Sequence, residues 1–226
     1  MEAVKKISYK GMTIEIYHDE NAESPDDCGN EDCFIIYSHR SFSVQVDGFD
    51  DEEINECWLK KENYKHSKFN NTTKKYEHST YRIYPLFAYI HSGVALSIKR
   101  DYYPFTCNWD TSMSGFVLVK IQKAWTFRKS QSLKVAQSVV NEWNHYLSGE
   151  VYGYITKDKN NNDIDSCWGF YGDYDKSGII DEAESVIDFE VNKIKKQWFK
   201  YLKVFIKHSV PLAVRQETLK EFKFQF

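Results

Sequence analysis

The sequence predicts an α+β fold: a mainly antiparallel sheet with two or three helices packed on it, the last a long C-terminal helix. Three observations point there. Short alternating or aromatic-rich runs recur along the chain, as pleated, half-buried strands require. Only three stretches place apolar residues at helical spacing. Strands come in blocks with helices between them, without the strict strand–helix alternation of a parallel sheet.

Met12–Tyr17 alternates apolar and polar residues and reads as a strand. Residues 18–32 form an acidic loop, and Cys33–Tyr37 is a short buried strand. Phe42–Val46 alternates again. Asp50–Lys61 reads as a helix capped by Asp50 or Asp51, with Ile54, Trp58 and Leu59 as its apolar residues. Asn63–Thr80 is rich in Asn, Lys, Thr and His and poor in apolar residues, so it reads as a flexible insertion or connection. Tyr81–Ile90, Val94–Ile98 and Gly115–Ile121 are strands. Ser130–Leu147 is a helix carrying Leu133, Ala136, Val139, Val140, Trp143 and Leu147, and Ser148-Gly149 ends it. Val151–Thr156 and Ile164–Phe170 form a hairpin, a helix runs from Ile179 to Phe205, and Glu221–Phe226 alternates as a last strand. Together these predict a single domain over 1–226, with the flexible stretch at 63–80.

At 226 residues the chain has ample length for a core. No apolar run reaches the about 18 residues of a membrane span, and Met1–Lys10 lacks the apolar centre of a signal peptide. The expected setting is the cytoplasm, away from membranes. Five cysteines, Cys28, Cys33, Cys57, Cys107 and Cys167, make an odd count in a chain too large to need staples, so reduced thiols are expected. Cys28 and Cys33 have a spacing that zinc sites use, but no second Cys/His pair lies nearby in sequence.

The net charge of −3 conceals an uneven distribution. From Glu15 to Glu56 the acids are many and Arg40 is the only Lys or Arg. Residues 60–82 and 193–223 are basic. An acidic face can bind a cation or imitate phosphates. A basic face with Trp198, Phe199 and Tyr201 interleaved can meet phosphate and stack on bases. Alternatively, the charges are simply solvated faces that balance one another.

Residues 173–184 carry the most specific ligand pattern. They match the calcium loop, with Asp173, Asp175 and Ser177 at alternate positions, Gly178 at the turn, Ile179 at the backbone-carbonyl position and Glu184 last. Calcium takes about six to eight oxygens, which this spacing can wrap around it. The expected cofactor is therefore Ca²⁺ or another divalent cation. An incoming helix is missing, because Asp165–Gly172 reads as strand and turn. The same acids also suit a plain helix start.

Separated motifs carry a family resemblance. They are Tyr89-Ile-His-Ser-Gly93, Pro104-Phe-Thr-Cys-Asn-Trp-Asp110 followed by Gly115-Phe-Val-Leu-Val119, Gly149-Glu-Val-Tyr-Gly-Tyr154 and Asp165-Ser-Cys-Trp-Gly-Phe-Tyr-Gly172, with Ala22-Glu-Ser-Pro25 in the acidic loop. Over roughly residues 12–190 the chain resembles a family of bacteriophage and mobile-element proteins with no assigned activity. The resemblance implies a role in host take-over or counter-defence of the anti-CRISPR or anti-restriction type. The partner would then be a host bacterial protein or a protein–nucleic acid complex. Within the shared segments, His91, Cys107 and Asp110 are the candidate catalytic residues. A metal-dependent hydrolase is the alternative, with Asp19, Glu20, Glu23, Asp110 and Asp165 converging with His91 on a divalent ion. A calcium-stabilised binding module is the third reading. Trp109, Trp168, Phe170 and Tyr171 are expected to pack in the core or on a sheet face.

Overall fold

The computed structural model describes residues 2–26, 32–39, 42–122 and 128–207, with side chains for all of these except Phe42 and 201–207. The chain forms two units: Met1–Glu20 with Val151–Phe226, and Asn21–Glu150. The α+β class and the antiparallel pairing agree with the sequence.

The first unit has a four-stranded sheet in the order β1 (Lys5–Tyr9), β2 (Met12–His18), β9 (Val151–Lys157), β10 (Asp163–Tyr171). All three pairings are antiparallel. β1 was not expected: Lys5, Lys6 and Lys10 make Met1–Lys10 look like a charged tail, yet lysine-rich strands suit a sheet edge. Alternation sends Met12, Ile14, Ile16, Tyr152 and Tyr154 to one face, where they pack on Ile179, Ala183 and Ile187 of α3 (Ile179–Lys207). The i, i+4, i+8 spacing of those helix residues puts them on one stripe. Glu15, on the opposite face, is nevertheless buried. Its carboxylate meets Lys6 Nζ at 2.5 Å and Lys157 Nζ at 2.7 Å, and accepts from the Tyr17 hydroxyl at 2.7 Å. These partners, Lys157 first, hold the Glu15 carboxyl down at about 2. Beside it Gly153 lies under the Trp168 ring: a Cβ there would come within 2.1 Å of the indole.

The second unit is a sheet covered on both faces. Its strands run β4 (Phe42–Val44), β3 (Cys33–His39), β8 (Thr111–Lys120), β6 (Lys75–Ile90), β5 (Tyr64–Asn70), with β7 (Val94–Ser97) also pairing β6. Alternation along β3 explains the two layers. Cys33, Ile35 and Tyr37 share a core with Ala136, Val139, Val140 and Trp143 of α2 (Lys129–Ser148). Phe34 and Ile36 share the other with Ile54 of α1 (Asp51–Lys60). Asp50 caps α1 as expected, its Oδ1 accepting from Glu52 N and Glu53 N. Gly149, at φ 74°, closes α2. The Asn144 amide joins α2 to β7, accepting from Leu96 N at 2.7 Å and donating to Leu96 O at 2.9 Å. Gly115 sits where β8 meets β3 so closely that a Cβ would lie 2.0 Å from Ile36 O.

The insertion or connection expected at Asn63–Thr80 has regular strand structure. It forms β5 and the first part of β6, paired from Tyr64↔Tyr81 out to Asn70↔Lys75. β6 residues from Tyr81 onward also pair β8, so the outer part is a two-stranded arm. The expected strand at Glu221–Phe226 lies outside the described residues. No helix among the described residues is long and apolar enough to cross a membrane.

Candidate functional site

The segment between β7 and β8 carries the Pro104–Asp110 motif, with Cys107 and Asp110 of the three candidate catalytic residues. Ser97, fully buried, anchors its start: its Oγ donates to Lys99 O, accepts from Lys99 N, and lies 2.8 Å from the Tyr102 hydroxyl. Arg100 spans it, donating from Nε to Phe105 O at 3.2 Å and from Nη2 to Asn108 Oδ1 at 2.6 Å. Phe105 is buried, its ring set edge-on to Tyr89 and Tyr102. Cys107 N donates to Pro104 O, and Ile90 N to Asp110 O, which closes the segment onto the sheet.

Two large side chains on this braced segment project into water. Trp109 is 96% exposed and Tyr103 is 79% exposed. The expectation that Trp109 packs in the core is therefore corrected: turn-forming Asn108 and Asp110 flank it and hold it off the sheet. Trp168 is also partly exposed, at 39%, whereas Phe170 packs against the α3 core.

His91, Cys107 and Asp110 do come together. Asp110 Oδ2 lies 3.7 Å from Cys107 Sγ, which donates to it, and 3.9 Å from His91 Nδ1. The order is thiol, carboxylate, imidazole. A thiol nucleophile needs the imidazole at its own sulfur, and here the carboxylate holds that place. The nearby Tyr89 hydroxyl is held above its ordinary range, first by burial and then by Tyr103, Asp110 and Cys107.

The other acids belong to several parts of the chain. Asp19 and Glu20 follow β2 in the first unit, while Glu23 belongs to the second. Asp165 lies on β10, its Oδ2 accepting from the Tyr154 hydroxyl at 3.5 Å. That hydroxyl is pushed up to about 12 by burial, with Asp165 adding to it. Among the described residues no three His, Cys, Asp or Glu side chains gather as a metal-ligand set. Cys33 points into the core beside Ile35 and Trp143, and burial pushes its thiol up to about 12. Cys28 lies outside the described residues. Cys57, Cys107 and Cys167 form no disulfide among the described residues.

Residues 173–184 follow a strand, β10, and run into α3 at Ile179. Asp173 Oδ1 accepts from Asp175 N at 3.0 Å, and its Oδ2 faces Lys176 Nζ at 3.3 Å. Asp175 Oδ1 meets Lys5 Nζ at 2.5 Å. Ile179 is buried in the α3 core, and Glu184 lies within the helix. Ser177 Oγ is closed off from solvent and takes no hydrogen-bond partner among the described residues. On α3, the Trp198 and Phe199 rings meet edge-on at 5.5 Å, with Phe199 58% exposed. The side chain of Tyr201 lies outside the described residues.

Sequence reasoning missed the exposure of Tyr103 and Trp109, for which the polar turn residues around Trp109 were the available signal. It also missed the buried Glu15, a polar residue of an alternating strand. No protein-family profile matches the chain, and neither does a curated protein or a solved structure.

Proposed function

We propose that this chain is a binding protein that inhibits a bacterial defence or nucleic-acid-processing complex, with Tyr103 and Trp109 as its contact residues. The observation that carries the reading is the 96% exposure of Trp109 on a segment braced by Arg100 and Phe105. The braced backbone has little main-chain freedom left to lose on binding, and large aromatic rings dominate interface energetics. The thiol–carboxylate–imidazole order at Asp110 lends no comparable support to nucleophilic catalysis. The resemblance to bacteriophage and mobile-element proteins supports the choice of partner.

The test is phage plating on a bacterium that carries an active CRISPR or restriction system. Wild-type chain expressed in that host should restore plaques, and a Tyr103→Ala/Trp109→Ala variant with unchanged circular dichroism should not. Restoration by both proteins would refute the contact assignment. Failure of the wild-type chain across the main defence classes would refute the function.

A calcium-stabilised module is the second reading, favoured by the unpartnered Ser177 Oγ within the loop pattern. A ligand that binds only the folded chain raises its melting temperature through RT ln(1 + [L]/Kd). A calcium-specific rise over EDTA, lost in Asp173→Ala and Glu184→Ala, would support it.

A further inference from the structure

We infer that the β5–β6 arm binds single-stranded nucleic acid, with Phe69 and Tyr76 stacking on bases and its lysines taking the flanking phosphates. Tyr64 and Tyr81, the innermost pair, are buried. Beyond them, every residue from 65 to 80 is exposed except the half-buried His66, Asn70, Ser79 and Thr80. Beyond His66, which stacks on Phe49 at 4.2 Å, this outer ribbon adds nothing to the core, and a two-stranded hairpin on its own is marginal in water. It is held instead by polar pairs: Ser67 Oγ with His78 Nδ1 at 2.8 Å, Asn70 Nδ2 donating to Glu77 Oε1 at 2.6 Å, and Thr72 N and Thr73 N donating to Asn70 Oδ1.

Its surface chemistry fits one class of partner. Between residues 65 and 80 stand Lys65, Lys68, Lys74 and Lys75 against a single acid, Glu77, in a chain whose net charge is −3. Phe69 and Tyr76 face each other across the ribbon, centroids 5.2 Å apart at 64°, yet remain 44% and 65% exposed. Strand alternation puts them on the same face as Lys65. Aromatic rings among lysines suit a strand whose bases are unpaired, because each base can leave water for a ring while its phosphate meets an ammonium. A duplex keeps its bases stacked inside and offers the rings only groove edges. The inference rests on the arm alone and does not require Tyr103 or Trp109.

The experiment is fluorescence anisotropy of the full chain with labelled oligo-dT, oligo-rU and a mixed-sequence DNA duplex, over a series of salt concentrations. Tight single-strand binding is expected, weaker for the duplex, and about tenfold or more weaker for each ring removed in Phe69→Ala and Tyr76→Ala. The slope of log K against log salt should fall by about 1.4 in a Lys65→Gln/Lys74→Gln variant. Because these residues lie outside the core, circular dichroism and melting should stay unchanged. Trp109→Ala should bind the oligonucleotides like wild type, which separates this inference from the function proposed above. Binding to DNA or to RNA alone would support the inference and identify the strand. Equal or tighter duplex binding, ring-independent affinity, equal competition by polyglutamate, or no binding at low salt would overturn it.

Discussion

Replacing Glu15 with Gln should weaken the first unit and remove part of its acid sensitivity. The carboxylate is 5% exposed and touches Lys6, Lys157 and the Tyr17 hydroxyl. Its folded value of about 2 lies below the ordinary 4.5, so ionised Glu15 favours the folded state. That contribution is fully present above about pH 5 and is lost as pH falls from there toward 2. The gap of 4.5 less 2 corresponds to at most about 3.4 kcal/mol, at 1.36 kcal/mol per pH unit. Lys6 is 64% exposed and screened by water, so a loss of about 2 kcal/mol at neutral pH is the working figure. Lys157, at 18% exposure, is left facing a neutral amide, which keeps the loss from vanishing. The assay is urea unfolding followed by tryptophan fluorescence at pH 7 and pH 3.5, since Trp168 lies near Tyr17. The wild-type advantage over Glu15→Gln should shrink by about 1 kcal/mol at the lower pH. An equal gap at both values, or no gap at pH 7, would refute the reasoning.

Three further outcomes follow from packing and caps. Gly115→Ala drives a methyl into Ile36 O and should exceed the usual overpacking cost of about 1–3 kcal/mol, read as a fall in urea midpoint or loss of soluble protein. Asp50→Ala should cost about 1 kcal/mol through the lost α1 cap, and Asp50→Ser should recover most of it in thermal unfolding. Asn144→Ala removes both bonds to Leu96 and should cost about 1–3 kcal/mol, with faster hydrogen exchange at the Leu96 amide.

The helices were readable because burial on one face imprints a period, and because Asp50 and Gly149 mark boundaries by local chemistry. β2 and β3 were readable for the same reason. β1 and the β5–β6 arm were not: Lys5, Lys6 and Lys10 mask the alternation that β1 has, and the outer ribbon buries too little to pattern its residues. Nothing local marks the division into two units either, since β2 pairs with a strand that begins only at Val151. At the site, residue type singled out His91, Cys107 and Asp110 and the fold does assemble them. Their order around one carboxylate oxygen depends on backbone geometry that spacing does not encode. Trp109 was misplaced because hydropathy ranks indole as a core group and is blind to a loop that lifts it into solvent.

β2 and β9 are antiparallel neighbours, with His18 opposite Tyr152 and Asp19 N donating to Val151 O at 2.9 Å. In an ordinary hairpin a turn of about two to five residues would join two such strand ends. Here the whole of Asn21–Glu150 takes that place. The junction therefore behaves like a socket. Cutting out 21–150 and joining the ends through an Asn-Gly turn would leave the β1-β2-β9-β10 pairing and its α3 stripe unbroken in register. A cargo domain with adjacent termini could be plugged in without rebuilding the host sheet.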